Sequence, residues 1–135
     1  IKAFYTMDTL SELYSKVTGF PLNSSQLKKA GERAWNLLKL LNVCEGFTRE
    51  KDQFPKSWFK PLKDEGNYLT LKDYYGNKEL GLEDLNRLLD DYYDEHGWCS
   101  AHGIPTENKV KELGLEKEAQ GLKNEFYRPS KSCHV

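Results

Sequence analysis

The sequence predicts an all-α fold, a compact multi-helix domain of about four to six helices with a long aromatic-rich loop. Apolar residues recur at three- and four-residue steps in several segments, and residues that start or stop helices flank these segments. No segment has the alternating pattern of a strand, and there is no internal repeat. Residues 46–80 lack helical periodicity but are rich in aromatic side chains. We therefore expect residues 1–135 to form a single helical domain.

The first predicted helix runs from Thr6 to Thr18. Gly19 and Pro21 provide its stop signal, and Thr6, Asp8 and Thr9 compete as its N-cap. Its apolar face is formed by Leu10, Leu13, Tyr14 and Val17.

The second predicted helix, from Asn23 to Gly46, is the longest. Asn23 and Gln26 have the spacing of a capping box, and Gly46 is placed to end the helix. Gly31 costs about 1 kcal/mol relative to alanine inside a helix, so it indicates the close approach of a second helix. We expect one face to be buried, formed by Leu27, Ala30, Ala34, Leu37, Leu38 and Leu41.

The aromatic residues of the long loop have two possible roles. Pro55 is placed to open one helical turn that ends at Phe59. The aromatic side chains either cover the core of this domain or face a partner domain. They are Phe47, Phe54, Trp58, Phe59, Tyr68, Tyr74 and Tyr75.

The remaining pattern predicts a third helix from Leu82 to His96, which Gly97 ends, and a short helix between Thr106 and Gly114. Residues 115–120 add a further turn or two, and residues 121–135 are expected to be a loose tail. In the third helix, the acidic side chains form a solvated face. Its apolar side carries Leu82, Leu85, Leu88, Leu89 and Tyr92.

Charge and hydropathy exclude several classes of protein. The sequence has 20 Lys and Arg against 21 Asp and Glu, a net charge of −1, so neither nucleic acid nor an anionic membrane is an expected partner. No apolar run approaches the roughly 18 residues of a membrane span, and no signal peptide is evident. We expect a soluble, cytoplasmic protein. Because the chain begins at Ile1 without a methionine, we also expect either a processed protein or a fragment of a longer one.

Residue types alone indicate little chemistry. His96, Cys99 and His102 have a spacing that allows a zinc site if Cys44, Cys133 or His134 supplies a fourth ligand. The sequence has no catalytic triad order, phosphate-binding glycine loop, or paired Cys-x2-Cys motif. A small zinc-binding domain therefore remains an alternative, as does a stand-alone helical module for protein interaction.

Two segments, residues 30–55 and 91–115, carry an ordered set of short motifs. These are Gly31-Glu32-Arg33, Asn42, Glu45-Gly46-Phe47-Thr48-Arg49, Asp52, Phe54-Pro55, Tyr92-Tyr93, Gly97-Trp98, Gly103-Ile104-Pro105-Thr106 and Leu113-Gly114-Leu115. In their order and spacing, over roughly residues 10–115, they resemble the C-terminal helical region of the aldehyde ferredoxin oxidoreductase family.

The resemblance implies a parent enzyme that oxidises aldehydes to carboxylic acids and passes the electrons to ferredoxin. Such an enzyme holds tungsten, or molybdenum, on two pterins beside one 4Fe-4S cluster, largely through N-terminal and middle domains. Cys44, Cys99 and Cys133 do not fall at the cluster-ligand positions of the family. The resemblance therefore implies a C-terminal scaffold without catalytic or cofactor-binding residues, which is not catalytic in isolation. Cys44, Lys51 and Cys99 depart from the family pattern and indicate a divergent member.

The resemblance also suggests which residues of this chain face the substrate channel or the cofactor of the parent enzyme. Arg49, Asp52, Phe54 and Trp58 lie in the long loop, and Phe4 and Tyr5 lie nearest the expected cluster ligand. The alternative for Arg49 and Asp52 is an ion pair that staples the loop.

Overall fold

The computed structural model describes residues 6–121. Residues 1–5 and 122–135 lie outside the described part, so the prediction of a loose tail is untested beyond Gly121, which lies in the last described helix. No helix of the described part is long and apolar enough to cross a membrane. The helices are α1 (Met7–Thr18), α2 (Ser24–Cys44), α3 (Leu82–Glu95), α4 (Glu107–Glu112) and α5 (Glu116–Gly121), with a 3-10 turn at Lys56–Phe59. The strands are β1 (Leu62–Asp64), β2 (Asn67–Leu69), β3 (Trp98–Cys99) and β4 (Ile104–Pro105).

The all-α prediction is only partly confirmed, because two small antiparallel sheets accompany the helices. β1 pairs with β2 through a two-residue turn at Glu65 and Gly66, whose φ angles of 44° and 90° fit a type I′ hairpin. β3 pairs with β4, with Trp98 opposite Pro105. Strands of two or three residues are too short to show an alternating pattern, so the sequence prediction missed them.

The predicted boundaries of the first two helices are confirmed by their caps. The Thr6 hydroxyl accepts a hydrogen bond from the Thr9 amide at 3.2 Å. Asn23 and Gln26 form the reciprocal capping box, with both hydrogen bonds 2.9 Å long. Gly19, at a φ of 75°, ends α1. The predicted helical turn after Pro55 is also present.

The closed core lies at the C-terminal half of α2. It packs that half-helix against β4, α4 and α5, and Leu37 lies partly buried beside it. The buried cluster consists of Leu40, Val43, Ile104, Val110, Leu113, Leu115 and Ala119.

The predicted buried face of α2 is wrong in most of its length. The buried side chains of this helix are Asn36, Lys39, Leu40 and Val43. By contrast, Ala30 and Ala34 are exposed, and Leu38 and Leu41 are 47% and 45% exposed. The side of α2 that becomes buried is set by where β4, α4 and α5 pack, and these elements cover the other side.

The predicted close approach at Gly31 does not occur within the described part of the chain. A Cβ atom added at Gly31 would meet no other atom within 4 Å. α1 is joined to the start of α2, where Ser24 donates to Asp8, and to the link before it, where the Leu22 amide donates to the Ser15 hydroxyl at 2.9 Å.

Other predicted apolar faces are also only partly covered. In α3 the buried side chains are Leu85 and Tyr93, whereas Leu82 and Leu88 are more than half exposed. Most loop aromatics lie outside the core, and Tyr74 at the loop tip is 95% exposed. Covering the core of this domain is therefore not the role of most of these aromatic side chains in the described structure.

Candidate functional site

The candidate site is a pocket of about 390 Å³ between α2, the long loop and α3. Trp35 and Tyr92 form its rim, and Lys39, Asp52 and Tyr93 are among the side chains that line it. A pocket with aromatic walls and a few polar groups has the usual composition of a binding site.

A three-residue polar network lies in this pocket. The Lys39 ammonium donates to Asp52 Oδ2 at 2.7 Å, and the Tyr93 hydroxyl donates to the same oxygen. The Lys39 side chain is 7% exposed and that of Asp52 is 34% exposed. The ammonium also lies 5.0 Å from the Trp98 ring centroid, within cation–π range. The buried positive charge is thus compensated by a carboxylate and an aromatic face.

Tyr93 is the proton donor of the network. Its burial raises the pKa of the phenol well above the usual range, and its hydrogen bond to Asp52 raises the pKa further. The Arg49 guanidinium, 5.0 Å from the Tyr93 ring centroid, opposes this shift more weakly. Tyr93 therefore stays neutral at physiological pH, and its hydroxyl remains a hydrogen-bond donor to Asp52.

A second hydrogen-bond chain fixes the aromatic wall. The Trp98 indole, 5% exposed, donates to Asn36 Oδ1 at 2.8 Å. Asn36 is fully buried, and its amide donates to the Glu32 carbonyl at 3.0 Å. At the rim, the Trp35 indole donates to the Tyr92 hydroxyl at 2.9 Å. These bonds hold two tryptophans in defined orientations on two sides of the pocket.

Arg49 attaches the long loop to the rest of the structure. Its side chain pairs with Asp90 of α3 at 2.9 Å, and its amide donates to the His102 carbonyl at 2.9 Å. Its buried NH1 atom has no hydrogen-bond partner within the described residues. Gly103 permits this approach, because a Cβ there would lie 3.1 Å from the Arg49 nitrogen and 2.9 Å from the Tyr93 hydroxyl.

The structure brings some of the predicted site residues together. Asp52 and Phe54 line the pocket, and Arg49 lies beside Tyr93. Arg49 and Asp52 do not pair with each other; each staples the loop through a different partner. Trp58 contacts the Phe54 ring at 5.9 Å but lines a separate cavity bounded by Pro61 and Leu80. Phe4 and Tyr5 lie outside the described residues, and whether any of these six side chains faces a substrate or cofactor stays a prediction.

Sequence reasoning missed Lys39, Asn36, Tyr93 and Trp98 as members of the site. A lysine and an asparagine in a helix normally indicate a solvated face, so their types argued against burial. The spacing nevertheless indicated that Asn36 is buried, because Asn36, Leu40 and Val43 follow each other at four- and three-residue steps and so share one side of α2.

The potential zinc ligands are only partly together. Cys99 Sγ lies 3.3 Å from His102 Nδ1, whereas His96 stacks on Tyr92 and its Nδ1 lies 2.8 Å from the Tyr92 carbonyl oxygen. Among residues 6–121, no group of three His, Cys, Asp or Glu side chains is arranged to hold a metal ion. The described part of the chain therefore gives the zinc hypothesis no support.

The polar groups of the pocket have a structural role, because they bind one another. The charges of Lys39 and Asp52 compensate each other, and the Tyr93 proton is already shared with Asp52. None of the three is poised as a free nucleophile with an adjacent base.

Comparison with known proteins decides the family. A family model described as "Aldehyde ferredoxin oxidoreductase, domains 2 & 3" matches residues 1–115. The chain belongs to the aldehyde ferredoxin oxidoreductase family. The resemblance inferred from the motifs of the two segments is thereby confirmed.

Curated relatives in the aldehyde ferredoxin oxidoreductase family are much longer than this chain. The tungsten-containing aldehyde ferredoxin oxidoreductase of Pyrococcus horikoshii is 32% identical over 111 residues, which are 82% of this chain and 16% of that protein. The protein of the same name from Thermococcus kodakarensis is 29% identical over 109 residues, or 80% of this chain and 16% of that protein. The chain thus spans about 16% of the length of these relatives. No solved structure matches the chain.

Proposed function

We propose that the chain is the C-terminal scaffold domain of a tungsten- or molybdenum-pterin, iron–sulfur oxidoreductase. The parent enzyme would oxidise aldehydes to carboxylic acids in the cytoplasm, with ferredoxin as electron acceptor. The observation that carries this proposal is the family match over residues 1–115, together with relatives whose names specify tungsten and an aldehyde. The isolated chain would not be catalytic.

The described residues do not fit a metal or cluster site. They contain no group of three suitable ligands, and the polar groups of the pocket are already paired with one another. When bound in the parent enzyme, the metal-pterin would supply the two-electron oxidation. In this proposal its ligands, and those of the cluster, come from N-terminal and middle domains outside this chain.

The contribution of this chain is then structural. α1 and α2 expose several large apolar side chains, including Leu13, Val17, Leu38 and Leu41, which supports contact with further protein. The network of Lys39, Asp52 and Tyr93 holds the long loop against α2 and α3. A wall fixed in this way would exclude water from whatever it covers.

The test begins with the native polypeptide. An antibody raised against this chain should detect, on a denaturing gel of source cells, a band several times larger than 15.7 kDa. The purified protein should contain tungsten or molybdenum and pterin, and should reduce ferredoxin only when an aldehyde is added. A protein depleted of metal is the matched control. A band at 15.7 kDa would contradict the proposal and favour a stand-alone interaction module.

A further inference from the structure

The outward side of α2 carries a continuous apolar stripe. Its members are separated by steps of four, three, four and three residues, the spacing with which one helix packs along another. They are Leu27, Gly31, Ala34, Leu38 and Leu41. Leu38 and Leu41 are each almost half exposed, and Gly31 and Ala34 are exposed as well. Leu38 also lines the edge of the candidate pocket, and the half-buried Leu27 lines a cavity with α1.

The shape of this stripe fits a crossing helix. Gly31 and Ala34 leave a shallow notch, and no atom of the described chain approaches the position of a Cβ at Gly31 within 4 Å. Leu38 and Leu41 follow the notch one and two turns towards the C-terminus of α2, and their larger side chains project beyond it. Small residues allow two helix backbones to approach closely, and the contact offsets the helix-propensity cost of glycine.

The charge beside the stripe adds a second constraint. Lys28 lies one position after Leu27 and forms no ion pair with any residue in the range 6–121. Trp35 lies on the same edge of the stripe and lines the aromatic pocket. An acidic side chain next to the apolar face of a partner helix would complement Lys28.

We infer that this stripe is the docking seam for an α-helix from the part of the parent protein outside this chain, with small and branched apolar residues facing it and an acidic residue beside Lys28. The inference rests on the proposed function. The stripe would be the surface of this chain to which the missing domains bind. The length of the relatives indicates this occupant, because the chain covers about 16% of them and no atom of the described chain lies within 4 Å of a Cβ position at Gly31.

Solvent labelling of the native protein tests this seam. Hydroxyl-radical footprinting would be run on the wild-type polypeptide purified from its source and on the 135-residue chain alone. We expect Leu38 and Leu41 to be labelled several-fold more slowly in the native protein than in the 135-residue chain.

The mass of the native polypeptide separates the two proposals. A long polypeptide with protected Leu38 and Leu41 supports both the function and the seam. A long polypeptide in which they are labelled as fast as in the short chain overturns the seam alone. A 15.7 kDa polypeptide overturns the proposed function. Protection that then appears only with self-association would assign the stripe to a second copy and overturn the seam as proposed.

A substitution at the notch provides an independent test. In the 135-residue chain, Gly31→Leu enters open space and should raise Tm by about 3 °C through helix propensity. In the long native protein it should lower Tm and speed the labelling of Leu41, because the added side chain occupies the path of the partner helix. Lys29→Leu, on the opposite side of α2, is the matched control and should leave the labelling unchanged. A Tm increase of the same size in both proteins would refute the seam.

Discussion

The two sides of α2 meet different surroundings. On one side, Leu40 and Val43 are fully buried against β4, α4 and α5. On the other side, Leu38 and Leu41 remain almost half exposed although they are just as apolar. A helical pattern of apolar residues therefore does not by itself tell which of its sides the described chain covers.

The comparison also departs from the usual distribution of polar residues. The buried side of α2 includes Lys39 and Asn36, whereas Leu38 and Leu41 remain almost half exposed. Burial is tolerated because Asp52 compensates Lys39 and the Trp98 indole satisfies Asn36. Specific partners, rather than residue type, thus decide which side of this helix is inside.

The largest expected effect comes from truncating one leucine on each side of α2. Leu40→Ala should lower the free energy of unfolding by about 2–5 kcal/mol, because it leaves a cavity in the closed core. Leu38→Ala, with the same change in helix propensity, should cost less than about 1 kcal/mol in the 135-residue chain. Urea denaturation followed by circular dichroism measures both. Equal losses would mean that the exposed side is covered in solution.

Breaking the buried ion pair should have the next largest effect. Asp52→Asn leaves the 7%-exposed Lys39 without its counter-charge and should cost about 2–3 kcal/mol, less than a fully buried pair because Asp52 is 34% exposed. The double variant Lys39→Met/Asp52→Asn should recover much of this loss. Glu12→Gln, which breaks the exposed pair with Lys16, is the control and should leave stability unchanged. A double variant as unstable as Asp52→Asn would argue against charge burial as the cause.

The two tryptophans extend the comparison to hydrogen bonds. Trp98→Phe removes the donor to the buried Asn36 and should cost about 1–2 kcal/mol. Trp35→Phe removes a donor to Tyr92 at the exposed rim, where water can replace it, so its cost should be smaller. Thermal unfolding of the two variants measures the difference. A larger loss of stability for Trp35→Phe than for Trp98→Phe would mean that the Trp35–Tyr92 hydrogen bond contributes more than the buried Trp98–Asn36 one.

The smallest effect is expected at the surface cluster that begins α3. The hydrogen bond from Lys78, followed by that from the Gly81 amide, lowers the pKa of Asp84 from 3.8 to about 2. Because the folded pKa is depressed, the stabilisation is present above pH 3.8 and is lost as pH falls towards 2. Lys78→Met should raise this pKa more than Arg87→Met does, as measured by NMR titration of the carboxyl carbon. The opposite order would contradict the assigned cause.

Much of the local structure follows from sequence. The capping box of Asn23 and Gln26 and the left-handed Gly19 depend on residues three or four positions apart, so they were predictable. The β1–β2 hairpin was not, because its strands are too short to carry a pattern. Asp52 and Phe54 were singled out from the sequence and line the pocket, although their predicted contact with a substrate or cofactor is untested. Lys39 and its pairing were not predicted, since residues 39 and 52 meet only through the path of the intervening loop.

The sequence by itself determined the helices, their caps, the family and the apolar stripe along α2. These properties depend on spacing within a few residues or on the order of motifs along the chain. Only the tertiary structure decided which side of α2 is closed, and that Lys39, Asp52 and Tyr93 form one network. The physical reason is that burial is a property of what packs against a surface, and the elements that pack on α2 are distant in sequence.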